Sequence, residues 1–328
     1  MRSDDGVIEF TLAPTIDGVY VERVQLRAGT GRVAQSALFT DDISFKRWCD
    51  ADAVRFDYPM VYMNLKRNGG ACFGQPGEPR TLLSVTSQPG YAGRVSEIVQ
   101  SIPNAVDEAA AVRLLTEAAH CLGADVAAFA SFTRDDGSHE SYRFLLACDA
   151  SWCHEYEKTA WYGNDPWFAY ALNHSDPARA SEIPLGRKQR DVVELASRFG
   201  FRSAVIVPAP SSGGLTRIGV LCLGSDTPGF FEGEGYVALR IAARGLAMEL
   251  HQWWIGQIKR ELIKNARITP DDLVLLRLER VGHITKTIAE ELDTSPCSID
   301  SRFQRINQKL GVPNRKAAAN LAAEYGLI

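Results

Sequence analysis

The chain has no run of eighteen apolar residues, so no stretch of it is long enough to cross a bilayer as a helix. Its start, Met1-Arg2-Ser3-Asp4-Asp5-Gly6, lacks the apolar stretch of a secretory signal. The expectation is a cytoplasmic protein with no membrane partner. There is no Cys-x-x-Cys pair, and seven cysteines, an odd number, fit reduced thiols better than a disulfide framework or a zinc site. Cys148 and Cys153 then read as small buried apolar residues. A Walker-type Gly-rich Lys-Ser/Thr loop, an HExxH helix and a Cys/His cluster are all missing, which argues against an ATPase or a metalloenzyme. His154, Ser151 and Asp165 lie near one another in sequence, but without a nucleophile elbow they make a poor hydrolase. No enzyme, no metal and no cofactor is expected. Internal repeats and low-complexity tracts are absent as well.

What is present fits two or three ordinary globular domains in 328 residues. The net charge of −4 is unevenly spread: residues 259–328 hold 12 Lys and Arg against 9 Asp and Glu, and the rest holds 24 against 31. Only the tail is basic, and too weakly for charge alone to mark a nucleic-acid binder.

The tail carries the clearest pattern. Thr285 to Leu292 places Ile288, Ala289 and Leu292 on one helix face, and Asp293-Thr294 breaks it. Ser295 is a good N-cap and Pro296 suits the first helical position. Ile299, Phe303, Ile306 and Leu310 then recur at spacings of four, three and four, a single stripe facing a core. Asp300, Ser301, Gln304, Arg305 and Gln308 line the other face, where side chains can reach base edges and phosphates. Gly311 closes that helix, and a last one, about 316–325, adds Ala317, Ala318, Leu321 and Ala322 to the core. Ser301, Arg302, Gln304, Arg305 and Lys309 are the expected contacts to double-stranded DNA. Gln304 should govern sequence choice, and Arg302, Arg305 and Lys309 salt-dependent affinity.

Thr269-Pro270, Leu276, Gly282, Ile288-Ala289, Ser295, Ile299, Lys309-Leu310-Gly311-Val312 and the closing Gly326-Leu327-Ile328 resemble the C-terminal helix-turn-helix domain of LuxR-type regulators. Two positions depart: Asp272 stands where the family usually has Glu, and Asp300 brings a negative charge to the start of the reading face, which opposes phosphate.

Further upstream, Trp152 and Tyr156 fall four apart on one helix face, and Asp165 precedes Pro166 at a turn. A site for a small amide or lactone needs donors for carbonyl oxygens and an acidic acceptor for an N–H within an apolar chamber. Trp152 Nε1–H, Tyr156 O–H and Asp165 supply them. This spacing also resembles the family's autoinducer-binding domain over roughly residues 100–250. The resemblance implies an α/β/α sandwich holding an N-acyl homoserine lactone, with the Asp taking the amide N–H and the Tyr and Trp the carbonyls. An expected second indole falls on Ala180, and an expected strand Gly on Ala204. Losing an indole removes apolar area worth several kcal/mol at ~25 cal/mol per Å², and Trp161, Trp167 and Phe168 are aromatics at hand to refill the space. Taken as structure alone, Trp152, Tyr156 and Asp165 read as core aromatics and a helix-capping aspartate.

The expected fold class is therefore α+β: an α/β/α ligand-binding domain at 95–258, an all-α four-helix domain with a helix-turn-helix at 265–328, and a small α+β extension at 1–76 of no recognised family. In the extension, Val19 to Leu26, Val33 to Phe39 and Phe56 to Leu65 read as strands, with a helix after Thr40. Residues 77–94, rich in Gly, Pro and Ser, read as a linker. A helix at Val106 to Cys121 should be followed by a hairpin, Ala124 to Phe132 and Tyr142 to Cys148, turning at Asp135-Asp136-Gly137. Two more strands follow at Ser203 to Pro208 and Arg217 to Leu223. A long helix from Phe230 to Ile263 ends in Trp253-Trp254-Ile255, which reads as exposed aromatic surface suited to a homodimer. The pattern points to a ligand-responsive DNA-binding regulator. The alternative is a ligand-independent regulator or anti-activator that pairs with a related receptor.

Overall fold

The computed structural model describes residues 7–15, 17–26, 32–51, 80–133, 142–152, 156, 161–211, 217–324 and 327–328. Contacts divide it into two units: residues 1–210 with 218–251, and residues 211–217 with 252–328.

The first unit is built on one eight-stranded sheet. Its strands are β1 (Val7–Thr15), β2 (Gly18–Leu26), β3 (Arg32–Phe39), β4 (Val126–Thr133), β5 (Arg143–Ala147), β6 (Ala178–Arg179), β7 (Ser203–Ala209) and β8 (Arg217–Ser225), in the order β1-β2-β3-β5-β4-β8-β7-β6. The strands β1, β2 and β3 form an antiparallel meander, and β3 then pairs in parallel with β5 through Ala34↔Arg143 to Ala37↔Leu146. The segment expected as a separate extension is thus the outer part of the same sheet as the expected ligand-binding domain. Sequence reading had no access to this, because the junction joins positions over a hundred residues apart.

Helices cover both faces. On one lies α4 (Glu108–Leu122), whose buried Ala111, Leu115, Ala118 and Leu122 recur at helical spacing and pack across β3, β4 and β5. Asp107 caps its start and Gly123, left-handed at φ 93°, ends it. Also on this side, residues 236–251 of α7 (Tyr236–Ala266) approach β8 at Gly219, where an added Cβ would sit 2.9 Å from His251 Nδ1 and 2.8 Å from Phe129. The other face carries α1 (Asp42–Ala51), helical residues around Trp152 and Tyr156, α5 (Pro166–Asn173) and α6 (Arg187–Ser197), over one apolar cluster.

The expected linker is corrected in part. Residues 82–101 contain α2 (Leu82–Thr86) and α3 (Tyr91–Ser101), because Thr81 and Ser84 form a capping box and Gly90, at φ 74°, turns the chain between the helices. The strand expected at 56–65, residues 77–79 of the linker and the turn at 135–137 lie outside the described residues.

The second unit contains α8 (Pro270–Arg280), α9 (Thr285–Glu291), α10 (Pro296–Leu310) and α11 (Arg315–Glu324). Leu275, Leu276, Ile288, Ile299, Phe303, Ile306, Ala318 and Ala322 form its core. Ser295 caps α10 and Gly311, at φ 67°, closes it. Trp253 and Trp254 are buried, with ring centroids 5.2 Å apart, so the expectation of exposed aromatics there is corrected. The most exposed apolar positions of α7 lie earlier, at Val237 and Ile241, which are 62% and 65% exposed.

Candidate ligand site and helix-turn-helix face

The Asp165-Pro166 pair starts α5: Asp165 takes an extended N-cap conformation and Pro166 fills the first turn. One carboxylate oxygen, Oδ1, accepts the backbone N–H of Trp167 at 2.7 Å and of Phe168 at 3.3 Å. The other, Oδ2, accepts the Tyr156 O–H at 2.5 Å. Burial pushes the Asp165 carboxyl above the usual carboxylate range, against the pull of these three hydrogen bonds. Two donors occupy Oδ1, and Oδ2 retains a lone pair for a further one.

Around this pair the walls are aromatic. Trp152, Tyr156 and Asp165 are 4%, 2% and 3% exposed. The Trp152 ring lies 5.3 Å from Tyr156 and 5.8 Å from Phe201, and Trp167 lies 5.8 Å from the same Phe201. Phe168 reaches Tyr156 at 6.3 Å and Phe132 at 5.1 Å. Neither Trp152 Nε1 nor Trp167 Nε1 meets a hydrogen-bond partner among the described residues. A buried donor left unpaired costs about 1–3 kcal/mol, so each indole is poised for an acceptor.

The structure therefore brings together four positions singled out in the sequence: Trp152, Tyr156, Asp165 and Trp167. Ala180, partly buried, and Ala204, buried on β7 opposite Gly224, belong to the same apolar layer. The side chain of Trp161 lies outside the described residues. Phe201, which touches both indoles, escaped the sequence reading. Its only local signal is Gly200 before it, left-handed at φ 95° at the entrance to β7.

Residues 107–252 match the family model of the autoinducer binding domain. Less than half of the chain falls within that match. The chain is similar in structure to SdiA of Escherichia coli, at 15% identity and a TM-score of 0.58, over 71% of this chain and 97% of SdiA. SdiA in complex with octanoyl-rac-glycerol is similar at 15% identity and a TM-score of 0.52, over 75% of this chain and 93% of that one. At these identities the likeness is one of fold. No curated protein sequence matches the chain.

In the second unit, α10 buries Ile299, Phe303 and Ile306 and exposes Ser301, Gln304 and Arg305. Two of the expected DNA contacts have partners within the unit. Lys309 Nζ lies 2.7 Å from Asp272 Oδ2 and donates to the Arg267 carbonyl at 2.9 Å, and Arg302 lies 3.9 Å from Asp271. Burial alone would raise the Asp272 carboxyl, but Lys309 and Thr269 outweigh it and hold the group below the usual carboxylate range. Asp300 accepts a hydrogen bond from the Thr285 hydroxyl at 3.3 Å.

Proposed function

We propose that this protein is a DNA-binding transcriptional regulator responding to a small molecule of the acyl homoserine lactone type or a related ligand. The observation that carries the reading is the buried Tyr156–Asp165 pair beside the unpartnered indole N–H of Trp152, set in an autoinducer-binding domain. A ligand amide N–H suits the free lone pair of Asp165, and a ligand carbonyl suits the unpartnered N–H of Trp152, while the Tyr156 O–H is taken by Asp165 and holds that carboxylate in place. Trp167 adds a donor beyond that set. The test is the thermal unfolding midpoint of the protein against a panel of acyl homoserine lactones, since a ligand that binds only the folded state raises it. A saturable rise, lost in Asp165→Asn, is expected.

A second reading, a ligand-independent regulator or anti-activator, has one observation in its favour: Asp165 already has structural work in capping α5 and holding Tyr156. The absence of any shift across the panel, from folded protein, selects it.

For DNA, Ser301, Gln304 and Arg305 form the reading face in this proposal, and Arg302 and Lys309 serve mainly to hold α8 against α10. Arg305→Ala should weaken DNA binding across sequences and lower the slope of log affinity against log salt by about one. Two half-sites call for two copies. The surface we assign to the second copy is an apolar cleft of about 510 Å³ between α3 and α7, lined by Tyr91, Val95, Val99, Ala238, Ile241 and Gly245. Ile241→Glu should give a monomer in sedimentation.

A further inference from the structure

The N-terminal segment bears on the ligand site through one helix. Phe45 and Trp48 of α1 are buried against Phe10 of β1 and Phe39 of β3, with Trp48 at centroid distances of 5.6 Å from Phe10 and 5.4 Å from Phe39, and Phe45 at 5.4 Å from Phe39. A helix seated on several rings has little freedom to slide. Away from that seat, Arg47 Nη1 donates to Asp149 Oδ2 at 2.9 Å, across 102 residues of sequence. The other carboxylate oxygen of Asp149 accepts the backbone N–H of Ser151 at 3.0 Å and its hydroxyl at 2.6 Å, and the Asp149 carbonyl accepts the Trp152 N–H at 3.1 Å. Asp149 is thus the hub of the turn that delivers Trp152 to the aromatic chamber, and Arg47 fixes which way that hub faces.

We propose that Arg47 is a positioning residue of the ligand site, through which the N-terminal segment sets the orientation of the Trp152 indole. The consequence for binding rests on the ligand-site reading above; the orientation of Trp152 does not. The Arg47 side chain is 63% exposed, so its ion pair adds little to overall stability. That separates positioning from scaffolding experimentally.

The experiment uses the full chain with ¹⁵N-labelled tryptophan, the Trp152 indole signal assigned with Trp152→Phe, and N-octanoyl homoserine lactone as probe. In Arg47→Ala the Trp152 indole signal should move or broaden, the unfolding midpoint should hold within about 2 °C, and lactone affinity should fall about five-fold. Arg47→Lys should restore the signal and the affinity. An unmoved Trp152 signal in folded Arg47→Ala overturns the proposal. So does a moved signal with unchanged lactone affinity, or a general loss of stability that disturbs the other indoles equally. If the wild-type chain does not bind this lactone, the ligand reading loses its probe and the Trp152 signal alone decides: moved, the positioning role stands; unmoved, it falls.

Discussion

Asp165 and Asp272 sit at the same kind of place in the two units and end in opposite electrostatic states. Each takes a backbone N–H at the start of a helix, Asp165 as the cap of α5 and Asp272 in a capping box with Thr269 on α8. What differs is the third partner. Asp165 meets a neutral phenol and, among the described residues, no cation, so burial prevails and its proton is held more tightly. Asp272 meets the Lys309 ammonium, which with Thr269 outweighs burial, and its proton is held less tightly. In the C-terminal unit the carboxylate is satisfied as a fixed strut. In the first unit no counter-charge meets it among the described residues, which suits it to the ligand donor of the proposed function.

The largest test of this contrast removes the sensor's packing rather than its charge. Phe168→Ala takes out a buried ring shared by Tyr156, Phe132, Tyr142 and Phe144, and should cost about 3–5 kcal/mol in denaturant unfolding. Next comes the matched pair of aspartates. Asp165→Ala loses a cap and removes the acceptor of the buried Tyr156 O–H, about 2–4 kcal/mol in all. Asp272→Ala leaves Lys309 partly solvated and should cost about 1–2 kcal/mol. Equal losses would break the comparison. Acid titration sharpens it, because the two shifts have opposite signs. Asp165 has its folded-state pKa raised, so its net contribution improves as the pH falls through that raised value towards the unfolded value near ~3.9. Asp272 has its folded-state pKa lowered, so its contribution is present above ~3.9 and is lost as the pH falls through the lowered value. Subtracting the pH–stability curves of Asp165→Asn and Asp272→Asn from that of the wild type should therefore give differences of opposite slope in acid. The smallest effect is expected at Arg198, whose pair with Glu194 one helical turn away is exposed on both sides. Arg198→Ala should stay within about 0.5 kcal/mol.

Much of this was legible in the sequence wherever the signal is local. Ser295-Pro296 and Gly311 bound α10 where spacing put them, and Ile299, Phe303 and Ile306 are buried as their periodicity required. The strands of residues 126–147 and 203–225, the helix Glu108–Leu122 and the gathering of Trp152, Tyr156 and Asp165 were likewise readable. What escaped depends on partners remote in sequence. β1 was not anticipated, and the parallel seating of β3 on β5 has no local mark. The pairs Lys309–Asp272 and Arg47–Asp149 withdraw charged side chains that look free on a helical wheel. Trp253 and Trp254 looked like surface because a helix pattern alone does not say how many sides will be covered. Phe201 stood in plain view, but which two indoles it would separate depended on the sheet.

The parallel junction between β3 and β5 also bears on how the protein is made. The meander of β1, β2 and β3 closes through near-neighbour turns, so it can form early as the chain emerges. Its seat does not exist until Arg143–Ala147 has been synthesised. During that interval the inner edge of β3 is an unpaired strand looking for a partner, the situation in which nascent chains are most exposed to mispairing. Translation speed over residues 40–143, and chaperone access during it, should therefore set the yield of folded protein more strongly than events at the C-terminal helices, which close over short distances.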